Sequence, residues 1–288
     1  MTSGSAGATT ILDQLAFPKC ARWHDGRLWF SDAHDGRVWA MSESGQAEPV
    51  VSVEGRPGGI DWLPDGRLLV VSERGRALLR LDGATLTTVC DLSRFSPHPW
   101  NDLVVDRDGR AYVGGFGHDV EAGDEPAGGP MVCVEPDGEA WVVIDRLLFP
   151  NGAIVVDTAD GRALVVSETY GQRLSAYDVL PDGSAARPRL WADLRPNFPS
   201  SVTLDADGAV WVADPVLKGL MRVKPGIGTV GWISTGDRGA FSCALGGSDG
   251  RTLYVCTSGT SNPTRTVRDR SGRIEAVRVD VPAALPSP

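Results

Sequence analysis

Nowhere in this 288-residue chain does an apolar run approach the ~18 consecutive residues of a membrane-spanning helix, and no membrane partner is expected. There is no block of Lys or Arg. Against 28 basic residues stand 37 acidic ones, giving a net charge of −9. The positive footprint needed for nucleic acid or an anionic membrane surface is missing. No Cys-x-x-Cys pair occurs. The five cysteines (Cys20, Cys90, Cys133, Cys243 and Cys256) are odd in number and scattered. That argues against a zinc site or a disulfide framework, and for small buried hydrophobes in a reducing compartment. The expected location is the cytoplasm. The opening MTSGSAGATT has neither a basic n-region nor an apolar h-region and reads as a tail. No segment sustains a 3.6-residue apolar period, so helices should be short or absent.

What the chain does have is a repeat. "DGRLWFSD" from Asp25 returns as "DGRLLVVSE" from Asp65, "DGRAYVGGF" from Asp108 and "DGRALVVSE" from Asp160. It returns again as "DGAVWVAD" from Asp207 and "DGRTLYVC" from Asp249. The copies lie roughly 40 to 52 residues apart, in the period range of propeller blades. Asp-Gly between two β-rich runs is a hairpin signal, because the tight turn needs positive φ. Enough chain follows each hairpin for one or two outer strands. The pattern predicts an all-β, six-bladed β-propeller with about four antiparallel strands per blade. The repeat runs unbroken through the middle, which rules against two stacked sandwiches. We expect tails at 1–8 and 282–288 and a single domain over 9–281. To hide the last sheet edge, "TTILDQLA" (9–16) should pair beside "RIEAVRVDV" (273–281).

Three segments begin with Phe-Pro: "FPKCARW", "FPNGAIV" and "FPSSVTL". Aligned on the turns, Pro18, Pro57, Trp100, Pro150, Pro199 and Phe241 precede the first residue of each channel-lining strand. Proline suits a strand's first position, where its missing N–H does no harm. The next residues, Lys19, Gly58, Asn101, Asn151, Ser200 and Ser242, should therefore point toward the axis at one end of the propeller.

The phrases "PWNDLVVDRDGRAYVGGFGHD" (99–119), "LLFPNGAIV" (147–155), "VVSETYGQRLSAYD" (165–178) and "CALGGSDGRTLYV" (243–255) resemble the gluconolactonase/regucalcin (senescence-marker) family. The likeness runs from about Ile11 to Val279. It implies a six-bladed propeller, lactone hydrolysis and one divalent cation, such as Ca²⁺ or Zn²⁺, held by Glu, Asn, Asn and Asp. Position by position, the two asparagines are Asn101 and Asn151. Lys19 stands where the Glu should be, and Ser200 stands where the Asp should be. A hard cation is held largely by carboxylate charge. An ammonium ~4 Å from it would add repulsion of about 8 kcal/mol at an effective dielectric of ~20. We therefore expect no metal and no other cofactor.

Lys19 could fill the vacant position, donating to the oxygens of Asn101, Asn151 and Ser200. As a plug it would be structural. As a catalyst, with its pKa lowered by desolvation, it would serve as general base, oxyanion stabiliser or Schiff-base nucleophile. Asp102 and His118 are the candidates for water activation, although strict alternation would turn Asp102 into the blade. His98, Trp100 and Ser242 are candidate substrate contacts. So are Glu168 and Asp214, from the set of acids (with Asp32 and Glu73) that close second strands at the same end. The leading expectation is a lactone or ester hydrolase acting on a small oxygenated molecule. Two others stay open: a cyclase, lyase or isomerase using Lys19, and a non-catalytic binding propeller.

Overall fold

The computed structural model describes residues 8–159 and 161–284. Asp160 and most of both expected tails lie outside the described residues. Six four-stranded antiparallel sheets follow one another in sequence. Blade one is built from strands Pro18–His24, Arg27–Asp32, Arg37–Ser42 and Ala47–Ser52, from axis to rim. Blades two to four begin with Pro57–Trp62, Trp100–Val105 and Pro150–Thr158, and blade five with Val202–Leu204. Blade six takes three strands from the C-terminal end, starting with Gly239–Gly246. Its outer strand is Thr9–Leu15, paired antiparallel with Gly272–Arg278. The ring is thus closed by its two ends, as the edge argument requires. The first Asp-Gly turn has both central residues at positive φ, Asp25 at 47° and Gly26 at 72°, matching a primed hairpin turn.

Apolar side chains form six cores, each shared by two neighbouring blades. One joins Leu69, Val71 and Leu78 of blade two to Leu103, Val113 and Val132 of blade three. Another joins Leu28, Phe30 and Met41 of blade one to Ala244, Tyr254 and Ile274 of blade six. Both faces of each sheet are covered, so second strands such as Leu68–Ser72 are buried throughout. This explains why they read as continuous rather than alternating apolar runs. The one α-helix among the described residues, Pro263–Asp269, is short and capped by Asn262, whose side chain accepts from the Arg265 N–H.

One boundary differs from expectation. Residues 282–284 do not leave the domain: Ala206 N donates to Pro282 O, Ala283 N to Gly250 O and Ala284 N to Leu204 O. The chain here runs across blades five and six because their main-chain groups offer it partners.

Candidate functional site

A cavity of about 280 Å³ opens at the channel end where the inner strands begin. Strict alternation would send only every second residue to the axis. The inner strands of blades one, two, three, four and six each carry an extra residue near that end, between Lys19 and Arg22, Pro57 and Ile60, Trp100 and Leu103, Pro150 and Ala153, and Ala240 and Ser242. Bulges re-aim side chains. Here they present consecutive pairs, Lys19–Cys20 and Asn101–Asp102, to the cavity, and Ser200–Ser201 join them from blade five. Cys20 reaches this geometry at φ 52°.

At the floor, Lys19 Nζ donates to Glu73 Oε1 at 2.6 Å and to Asn101 Oδ1 at 2.7 Å. Asn101 Nδ2 donates to Asn151 Oδ1 and to Pro150 O, both at 3.2 Å. Asn151 Nδ2 donates to Thr169 Oγ1 at 3.2 Å, and that hydroxyl donates to Pro199 O at 2.7 Å. An ammonium can only donate, so it fixes the direction of every bond in this chain. Two donors remain unspent among the described residues: the third N–H of Lys19 and the second of Asn151.

This corrects the expected lysine shell. Lys19 meets Asn101, but not Asn151, whose oxygen is taken by Asn101, nor Ser200, whose hydroxyl donates to Phe241 O at 2.8 Å. Its main partner is Glu73. The acids closing the other second strands turn away from the cavity to hold the loops that enter the next strand. Asp32 accepts from Ala16 N and Phe17 N, Glu168 from Leu148 N, and Asp214 from Phe198 N. Glu73 departs from them because Gly58 leaves it room: a Cβ at 58 would lie 2.9 Å from Glu73 Cγ. Burial alone would lower the Lys19 pKa, but the Glu73 charge and its hydrogen bond outweigh it and raise the value. Lys19 is therefore a held ammonium, and a neutral amine for base or iminium chemistry is disfavoured.

Asp102 lines the floor, but its Oδ1 accepts from Arg22 Nη2 at 3.0 Å and from Leu103 N at 2.9 Å. His118 is buried behind the wall, with its Nδ1 3.4 Å from the Ala127 N–H and its ring against Phe149 and Tyr170. Trp100 is fully buried in the core between blades two and three. Ser242 is also buried, accepting from Ala21 N and donating to Ser201 Oγ. Glu168 is bound by Arg173 and Ser175, and Asp214 also accepts from Val216 N and Leu217 N. His98 lies outside the wall, 3.7 Å from Asp124. The bulge brings Asp102 to the cavity against strict alternation, whereas the loop-holding bonds keep Glu168 and Asp214 out of it, and proximity in sequence does not carry Trp100, His98 or His118 to it.

Sequence reasoning missed His34. It follows the second strand of blade one, stacks on Phe17 at 4.6 Å and lines the cavity. Its Nδ1 lies 2.6 Å from Thr266 Oγ1, which gives its own proton to Pro263 O. Nδ1 therefore carries the hydrogen. Burial, reinforced by the charges of Arg56 and Lys19, pushes the imidazole pKa down to about 3, so Nε2 is a bare acceptor. No signal near His34 marks this, since its partner is 232 residues away.

A family model described as the SMP-30/gluconolactonase/LRE-like region matches residues 17–259. The pentonolactonase of Haloferax volcanii is 26% identical over 242 residues, 82% of this chain and 80% of the relative. The 6-deoxy-6-sulfogluconolactonase of Pseudomonas putida is 23% identical over 272 residues, 92% of this chain and 91% of the relative. Among solved structures, the calcium-binding protein regucalcin from Agrobacterium tumefaciens superposes with a TM-score of 0.80 at 16% identity, covering 98% of this chain and 96% of that one.

Proposed function

This chain belongs to the SMP-30/gluconolactonase/LRE-like family, and from that premise we propose that it hydrolyses a lactone or ester using the Lys19–Glu73 pair in place of a channel cation. The lactonase names of the two curated relatives support the reaction class. The observation that carries the reading is the Lys19 ammonium on the cavity floor, held by Glu73 and Asn101 with one N–H still to give.

The donor set does not suit a hard divalent cation. Such an ion needs several oxygens turned inward, with carboxylate charge among them. Asn151 Oδ1 is turned toward the Asn101 amide, position 200 offers a hydroxyl already donating elsewhere, and the nearest carboxylate binds an ammonium. Metal independence follows as part of the proposal.

In the reaction, the substrate carbonyl oxygen accepts from Lys19 Nζ and Asn151 Nδ2. Water adds to the carbonyl carbon and passes one proton to the Glu73 carboxylate. The negative charge that develops on the carbonyl oxygen is stabilised by donors already in place. The tetrahedral intermediate re-forms its C=O bond as the bond to the ring or ester oxygen breaks, and that oxygen takes the proton back from Glu73. The products are a hydroxy acid, or an acid and an alcohol, and the new carboxyl group ionises to solvent. Glu73 replaces Asp102 and His118 as the base because it faces the cavity beside the ammonium.

Glu73→Gln keeps an acceptor for Lys19 but removes the base. Its kcat for lactone hydrolysis, followed by pH-stat, should fall ~10²-fold or more with KM little changed. Hydrolysis at the wild-type rate would defeat this assignment.

A further inference from the structure

The wall above the floor is aromatic. Phe17 and Phe241 pack at 4.8 Å, with His34 stacked on Phe17, on the side of blades one and six. Phe116 and Phe149 pack at 4.7 Å, and Phe149 and Tyr170 also at 4.7 Å, on the side of blades three and four. Blade one lies opposite blade four in a six-bladed ring, and blade six opposite blade three. Two aromatic arcs thus face each other across the cavity. Phe17 and Phe149 come from the repeated Phe-Pro phrases, so those phrases supply wall as well as strand starts.

Apart from the bare Nε2 acceptor of His34, the polar groups of the wall have little left to offer. Thr169, Ser200 and Ser201 hydroxyls already donate to the main-chain carbonyls of Pro199, Phe241 and Cys243. At the mouth, Arg56 is paired with Glu121 at 2.5 Å, and Arg74 with Asp119 at 2.8 Å and with Glu121 at 2.9 Å. No charge there is left without a counter-charge among the described residues. A polyhydroxylated ring would lose water from each hydroxyl and regain few partners, and a buried polar group without a partner is costly. A charged substrate would have to break an existing ion pair.

The geometry points to a substrate that is a neutral lactone or ester with a flat apolar body, an aryl-fused or aryl ester in type, gripped between the two arcs with its carbonyl toward Lys19. This rests on the hydrolase reading only for the bond that is cleaved; the shape and polarity of the ligand stand on the wall itself. The cavity is near the lower end of the ~300–1,000 Å³ typical of small-molecule sites, which suits about one or two rings. Aromatic rings on both faces favour a flat partner in offset-stacked or edge-to-face contact.

The test pairs turnover with binding on the full chain. Hydrolysis of dihydrocoumarin, phenyl acetate and D-glucono-1,5-lactone is followed by pH-stat above the spontaneous rate. Binding of 3,4-dihydro-2-quinolinone, the uncleaved lactam of the first probe, is followed by calorimetry. The aryl probes should exceed the sugar lactone in kcat/KM by ~10-fold or more. Tyr170→Ala removes a side chain that is 41% exposed, so the fold should tolerate it. It should weaken lactam binding by about three- to tenfold, as should Phe241→Ala. If the lactam binds and nothing is hydrolysed, the hydrolase reading fails and the ligand assignment stands. If the sugar lactone is hydrolysed as well as the aryl probes or better, the ligand assignment fails and the hydrolase stands. Absence of both lactam binding and aryl turnover overturns the assignment too, as does lactam binding unchanged in both variants.

Discussion

Lys19 and Glu73, 54 residues apart and on different blades, meet at 2.6 Å with side chains only 13% and 6% exposed. Removing one member of a buried pair leaves the other charge uncompensated, at a cost of about 3–5 kcal/mol. Lys19→Met should lose that much stability in urea denaturation, with an unchanged m-value. Adding Glu73→Gln should return a large part of it, because the stranded charge is gone. A single Lys19→Met variant as stable as the wild type would show that the pair is not formed in solution.

Gly58 is what admits Glu73 to the axis. An added methyl would lie 2.4 Å from Asn101 O and 2.9 Å from Glu73 Cγ, so something must shift. Overpacking of this kind costs about 1–3 kcal/mol. Gly58→Ala should therefore lower the denaturation midpoint and, by displacing Glu73, reduce lactone turnover as well. Gly231→Ala, on the outer strand of blade five with its nearest neighbour at 3.5 Å, is the control and should change neither. Equal behaviour of the two variants would remove Gly58 from the account.

Two groups titrate in opposite windows. The unfolded chain takes up a proton on a histidine near pH ~6.5, whereas His34 in the fold declines one until about pH 3. Acidification through that interval therefore favours unfolding, and His34→Gln should flatten the fall in stability as pH drops from ~6.5 toward 3. Lys19 acts at the other end. Burial works against its charge, but Glu73 beside it holds the folded pKa above the ordinary lysine value. Its contribution is complete below the unfolded value and is lost only as pH climbs through the raised folded one. Comparing Lys19→Met with wild type, the stability difference should stay level from neutral pH to about 10 and shrink above ~10.4. A difference that shrinks below pH 9 would mean a depressed lysine and would restore its candidacy as a base.

The propeller was legible because its signals are local. Asp-Gly turns, runs such as "LLVV" and the Phe-Pro strand starts each report on a few adjacent residues, and their period counts the blades. Closure by Thr9–Leu15 followed from the need to cover an edge. The site was legible only in part. Lys19, Asn101, Asn151 and Ser200 reach one cavity because they share a position in the repeat. Glu73 shares its repeat position with Asp32, Glu168 and Asp214, and nothing within its own blade's phrase separates it from them. The difference lies in an absent side chain at Gly58 and a lysine on another blade. Asp102 and Trp100 depended on a bulge that alternation does not foresee. His34 depended on a hydroxyl at the far end of the chain.

The central claim is that an ammonium–carboxylate pair replaces the channel cation, and hydrolysis by metal-stripped protein tests it most directly. Protein made in metal-replete medium would be analysed for bound metal, treated with a strong chelator, and assayed on an aryl lactone before and after adding back Ca²⁺ or Zn²⁺. The account predicts no stoichiometric channel metal, an unchanged rate after stripping and no gain on re-addition. A rate that vanishes with the chelator and returns as about one divalent ion binds per chain would contradict it.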